Sequence, residues 1–214
     1  MFYPTVDEFK DIVVREPLDV VVHSHILGGT PYVFRLQPEL LTVLRDHICD
    51  ELGVAGENVI VVGSAKVGFS LNPDSFPRLF SDESDIDVVV IDTALFEKMW
   101  SIILRWHYQR RYVGLQGTDR DWAGLRKKEV YWGWFEPAEV RVDRLSLAEE
   151  LKPLVQLRTS WFNAFRSLSR YPEFATRDIN GRLYRSWEHA VLYHIEGLRR
   201  IREIVKTINR GALK

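Results

Sequence analysis

Two carboxylates two residues apart, Asp85 and Asp87, open the strongest apolar run in the chain, Ile86 to Ile91. A strand alternates its side chains between two faces, so this spacing puts both carboxylates on the same face. Like charges that close repel, and one carboxyl stays hard to ionise unless a cation sits between them. Hard oxygen ligands of this kind suit Mg2+ or Mn2+, ions that commonly bridge to substrate phosphates. Upstream, a shorter apolar run, Val59 to Val62, leads into Gly63-Ser64. Glycine there lets the backbone come close to a phosphate, whose oxygens the N–H groups of Ser64 and Ala65 and the Ser64 hydroxyl can hold. A phosphate cradle and a metal-binding pair on adjacent strands describe a nucleotide site.

The order strand, Gly63-Ser64, Gly68, then Ser84-Asp85-Ile86-Asp87 on the next strand resembles the signature of the DNA polymerase β-like nucleotidyltransferases. The resemblance spans residues 38 to 145. It implies an α/β (α+β) fold with a mixed-sheet nucleotidyltransferase core and two divalent metals, Mg2+ or Mn2+. It also implies transfer of a nucleoside monophosphate from an NTP or dNTP to an acceptor, with a third carboxylate on a later strand. Asp143, at the end of the alternating VRVDRL, is the first choice for that carboxylate, and Glu139, of the same parity, is the alternative. The expected catalytic and metal-binding set is therefore Asp85, Asp87 and Asp143. Two features depart from the family pattern. Phe69 stands where Thr or Ser usually follows the second glycine, and a long insert, Asn72 to Asp82, separates the two motif halves. Phe76 and Phe80 of that insert are expected at the pocket rim, against a base or an acceptor.

The expected nucleotide-binding set is Gly63, Ser64, Lys66, Gly68, Arg182 and Arg185. Lys66 reads as a phosphate contact or as a solvated turn lysine. In RLYRSWEHAVLYH, a helical reading places Arg182, Arg185 and His189 at i, i+3 and i+7, a cluster that could hold a triphosphate tail or an acceptor's phosphates, or simply face solvent. His23 and His25 lack a third zinc ligand nearby and read as satisfied or exposed histidines. His189 and His194 are five apart, the wrong helical spacing for a shared metal. The aromatic cluster Tyr131, Trp132, Trp134 and Phe135 could stack bases, or be part core and part rim.

The elements that must position these residues follow from periodicity. A helix from Thr5 to Val14 is marked by a Thr5/Glu8 capping box, and Val20 to Val22 reads as a strand. An amphipathic helix lies between Pro38 and Gly53, and another from Thr93 to Tyr108. Residues 114–124 read as a loop, and Glu129–Phe135 with Glu139–Leu145 as a hairpin. Beyond Leu147 the pattern is helical, with a long last helix expected from Ile179 to Asn209. These elements predict two units: residues 1–146 as the catalytic core and residues 147–214 as a basic helical domain completing the cleft.

Composition agrees with a folded, partner-binding chain. Its 214 residues are 46% hydrophobic and 28% charged, which excludes a disordered tail or a fibre. The formal net charge of −1 conceals 13 Lys or Arg against 5 acids in residues 151–214, so that segment is +8 and the rest −9. Such asymmetry offers one region to cations and another to phosphates. The single cysteine, Cys49, rules out an internal disulfide framework, and no run approaches the roughly 18 apolar residues of a membrane span. The expectation is a cytoplasmic enzyme with no membrane partner, acting on a nucleoside triphosphate and an RNA, oligonucleotide, nucleotide or protein acceptor. The small bacterial members of the family it resembles include antibiotic-modifying, toxin–antitoxin and antiphage enzymes. The rival expectation is a catalytically weak nucleotide- or nucleic-acid-binding regulatory partner.

Overall fold

The computed structural model describes residues 3–110, 128–139, 152–174 and 177–212. Helix α1 (Val6–Arg15) starts where its sequence says it should. The Thr5 hydroxyl accepts from the Glu8 N–H while the Glu8 carboxylate accepts from the Thr5 N–H, satisfying two orphan donors at once. The short helix α2 (Leu18–Val21) then runs into a π-helical turn, Val22–Leu27. The run Val20 to Val22 is therefore helical and not a strand. Three apolar residues cannot distinguish the two, and here Val21, Val22, Ile26 and Leu27 are buried in one cluster with the last helix. Helix α3 (Glu39–Leu52) stops on Gly53, whose φ of 69° is left-handed.

The elements that carry the candidate site follow: strand β1 (Val59–Val62), the one-turn helix α4 (Gly63–Val67), strand β2 (Ile86–Ile91) and helix α5 (Thr93–Arg110). Strand β3 (Trp134–Phe135), a 3-10 turn Pro137–Glu139, helix α6 (Lys152–Arg166), strand β4 (Ile179–Tyr184) and helix α7 (Trp187–Ala212) complete the described chain. The strands form one mixed sheet in the order β1-β2-β4-β3. β2 is antiparallel to β1 and parallel to β4, and β3 is antiparallel to β4.

Strand alternation divides the core into two layers. Val59, Val61, Ile86, Val88, Val90 and Leu183 pack beneath α3, α5 and α6. Ile60, Val62, Val89, Ile91 and Tyr184 face α1, α2 and α7. Each such fully buried side chain contributes about 1.5–3 kcal/mol relative to exposure. No helix among the described residues is long and apolar enough to cross a membrane.

Two further expectations change. The expected hairpin is not what residues 128–135 make: residues 128–131 are helical, and only Trp134–Phe135 joins the sheet. Its second half beyond Glu139 lies outside the described residues, as does the loop at 114–124. The long last helix begins at Trp187 and not Ile179, because Ser186 caps it: its hydroxyl accepts from the His189 N–H, and its carbonyl from the Ala190 N–H. The residues before that cap are β4, inserted between β2 and β3. The segment beyond residue 146 is therefore not purely helical, since it supplies a strand of the sheet that carries Asp85 and Asp87.

Candidate functional site

The β1–β2 register pairs Val62 with Asp87, so the turn that begins at Gly63 lies directly beside Asp87. A Cβ on Gly63 would stand 2.8 Å from the Asp87 Oδ2 atom. Gly63 also has a φ of +66°, so both its backbone and the neighbouring carboxylate require glycine. Asp85 and Asp87 share strand parity with Val89 and Ile91, which places both carboxylates on the sheet face covered by α1, α2 and α7. On β4, Asn180 sits opposite Asp87, and its side-chain amide donates to the Asp85 Oδ2 at 3.4 Å.

The Asp87 carboxyl is held above the usual carboxylate range. Burial at the crowded end of the sheet is the first cause, although part of the residue still reaches solvent, and the Asp85 charge is the second. Arg182 opposes the shift and Glu136 adds to it. At Asp87 the like-charge effect that the spacing predicts is thus present, second to burial.

Glu136 is the residue that sequence reasoning missed. It follows β3 on the face of Trp134, across from Arg182, which is on β4 and not on a helix. Arg182 donates from Nε (2.9 Å) and from Nη2 to the Glu136 Oε1, and from Nη1 to the Tyr193 hydroxyl (2.7 Å). Its guanidinium lies 4.5 Å from the Trp134 ring and 5.2 Å from the Tyr193 ring. The three hydrogen bonds and both ring faces fix this arginine in one pose. Read as the turn of a hairpin, Glu136-Pro137 gave no reason to face Glu136 toward Asp87. Asp143 lies outside the described residues, and Glu139 closes the Pro137–Glu139 turn.

Several expected site residues are engaged elsewhere. Lys66 is buried, and its ammonium donates to the carbonyls of Gly28 and, at 2.7 Å, Gly29. Burial, with Arg45 nearby, pushes it down to about 8. It staples the Gly28-Gly29 turn and is neither a solvated turn lysine nor placed to meet a phosphate. Gly68 ends α4 with a φ of +94°, and a Cβ there would stand 3.1 Å from the Tyr32 ring. That close packing accounts for the glycine. Arg185 pairs with Glu97 at 2.7 Å, and the His189 ring lies over Gly133, so the helical cluster with Arg182 does not form. Phe76 packs on Phe69, and Phe80 packs on Tyr32 beneath Arg177, so each ring of the insert is half-buried with one side against the core. His23 is exposed and His25 half-buried on the π-helical turn. Tyr131 and Trp132 are exposed, Trp134 is half-buried and Phe135 is core, a division of part core and part rim.

Among the described residues, no three His, Cys, Asp or Glu side chains converge as a preformed metal cluster. The donor chemistry of Asp85 and Asp87 nonetheless fits Mg2+ or Mn2+. Magnesium sites commonly use one or two carboxylates and complete the octahedron with waters and substrate phosphates, and a cation would offset the burial and the Asp85 repulsion that raise Asp87. Two grooves, of about 330 Å3 between α1 and α7 and about 200 Å3 between α3, α5 and α6, include none of these residues. The chain matches no protein-family model, no curated protein and no solved structure.

Proposed function

We propose that the protein is a metal-dependent nucleotidyltransferase, moving a nucleoside monophosphate from an NTP or dNTP to a nucleotide, oligonucleotide, RNA or protein acceptor. The observation that carries this reading is the contact between Gly63 and Asp87, which joins the Gly-Ser turn and the Asp-x-Asp pair at one end of the sheet. Asp85 and Asp87 would hold Mg2+ or Mn2+. When bound there, the ion supplies neutralisation of the triphosphate and a lowered pKa for the acceptor hydroxyl. Gly63, lacking a Cβ, leaves the backbone N–H groups of α4 open to phosphate oxygens beside Asp87. Asn180 orients the Asp85 carboxylate through its amide. Glu136, whose charge is felt at Asp87 and whose Oε1 is taken by Arg182, would be the described carboxylate to accept the acceptor's proton.

The test is the double variant Asp85→Ala with Asp87→Ala, incubated with labelled nucleotide, Mg2+ and candidate acceptors. Loss of transfer with folding retained is expected; continued transfer refutes the assignment. Incubation with the four NTPs or dNTPs alone identifies the acceptor class. Oligomeric or cyclic product means a nucleotide acceptor, and product that needs added RNA or protein means a macromolecular one.

A second reading has one observation in its favour. Arg182 already neutralises Glu136, which leaves Asp85 and Asp87 as the pair for metal among the described residues. A module that binds nucleotide without turnover would then show Mg2+-dependent nucleotide binding and no labelled product with any acceptor.

A further inference from the structure

The loop that leads into Asp85 is gripped from the far end of the chain. Arg177, just ahead of β4, donates from Nη1 to the carbonyls of Ser81 (2.6 Å) and Ser84 (2.9 Å), and from Nη2 to the Asp82 carboxylate (2.9 Å). Its guanidinium lies 4.7 Å from the Phe80 ring. The Arg177 side chain is 14% exposed, whereas that of Asp82 is fully in solvent, so the ion pair itself contributes little. The two carbonyl bonds and the ring contact are what hold the loop. The loop is also closed on itself, with the Ser84 N–H donating to the Ser81 carbonyl (3.1 Å) and the Ser81 N–H to the Ser84 hydroxyl (3.0 Å).

The next contacts continue in step. The Ile86 N–H donates to the Asp178 carbonyl at 2.9 Å, and the Asn180 amide donates to the Asp85 carboxylate. Three nearly consecutive residues, 177, 178 and 180, thereby fix in turn the loop, the backbone and the carboxylate of the segment that bears Asp85. The β2–β4 ladder begins at Ile86 with Ile179, so strand pairing alone does not require Arg177 to reach back over residues 81–84.

We infer that Arg177 and Asn180 are positioning residues for Asp85, a latch that sets this carboxylate before a divalent cation arrives. This rests on the metal site of the proposed nucleotidyltransferase. An exposed carboxylate at the start of a strand has several rotamers to lose on binding metal, and partners that orient it beforehand lower that loss. Arginine's planar fork reaches the two carbonyls from Nη1 and the Asp82 carboxylate from Nη2 while lying over the Phe80 ring; lysine keeps the charge but has a single donor nitrogen and no planar face to hold all of these at once.

Mn2+ alone, titrated into the full-length chain and followed by the electron paramagnetic resonance signal of the free ion, tests the latch. Arg177→Lys and Asn180→Ala are each expected to raise the Mn2+ dissociation constant by about 10-fold, with the number of sites per folded molecule unchanged. A residue that only supports the fold would lower the melting temperature and the folded fraction but leave the dissociation constant of the folded molecules where it was. If Arg177→Lys does not fold, Asn180→Ala, a change at an exposed strand position, decides. Wild-type binding with unaltered affinity in the folded variants overturns the latch and leaves the metal site standing. No Mn2+ binding by the wild type overturns both.

Discussion

Gly63 is where the candidate site closes, and two independent constraints meet in it. A side chain at its φ of +66° costs about 1–2 kcal/mol, and the added Cβ would press on the Asp87 Oδ2 from 2.8 Å. Gly63→Ala is therefore expected to lower unfolding stability by at least that amount and to reduce nucleotide transfer. In an Asp87→Ala background the carboxylate contact is gone, so the same substitution should cost only the backbone part. Urea unfolding of the four proteins checks this as a double-mutant cycle; strict additivity would mean that Gly63 and Asp87 do not press on each other. At this scale the sequence spoke clearly where a residue's role follows from a local rule. Strand parity placed Asp85 and Asp87 on one face, and a glycine after a strand marked the turn. It was silent where a long side chain chooses its partner across the fold. Nothing local says that Lys66 reaches Gly28 and Gly29, or that Glu136 meets Arg182 over β4.

Among the elements, β4 was the hardest to read and has the most consequence. Leu183, Trp187, Ala190, Val191, His194 and Leu198 keep a helical rhythm, so the stripe of α7 runs on into the strand without a visible break. The signal against that reading is Gly181, since a glycine inside a strand marks close approach by another element. A Cβ there would fall 2.2 Å from Phe165 Cζ and 2.9 Å from Trp161 Cζ2, so α6 packs straight onto the β4 backbone. Alanine would improve intrinsic strand propensity at this position, and packing should outweigh it. Gly181→Ala is expected to destabilise by about 1–3 kcal/mol through overpacking. Combining it with Phe165→Leu should recover part of the loss, because the smaller side chain vacates the space. A Gly181→Ala protein as stable as wild type in thermal unfolding would place α6 farther from the sheet. By contrast, β1, β2, α1 and α3 were legible because their start and stop signals, Thr5 with Glu8, Gly53 and Gly63, act within a few residues of where they sit.

For the molecule as a whole, the charge asymmetry has a structural use before any partner binds. Much of the excess positive charge in residues 151–214 already holds protein acceptors. Arg177 grips the loop before Asp85, Arg182 holds Glu136, Arg185 holds Glu97, and Arg202 caps the end of α1 through the carbonyls of Val13 and Glu16. Arg199, Arg200 and Lys206 pair with Glu196 and Glu203 along α7. The basic segment thus binds the acidic body intramolecularly, which no count of charges by segment could separate from a grip on phosphates. Two basic side chains with interior nitrogens, His194 and Lys66, then give the fold a distinctive pH dependence. His194, with its Nε2 sealed and without a hydrogen-bond partner, is pushed down to about 4 from 6.5 by burial and by Arg182. Lys66 is pushed down to about 8 from 10.5. Between the folded and unfolded values of each group, the unfolded chain carries a proton that the folded chain has released, so stability rises with pH across both windows. Each window should contribute on the order of 1–3 kcal/mol, from pH about 4 to 6.5 for His194 and from about 8 to 10.5 for Lys66. His194→Leu should flatten the lower rise and leave the upper, and Lys66→Met should do the reverse. Urea unfolding across the pH range measures both, and variant curves that run parallel to wild type through these windows would show that neither group is titrating against the fold.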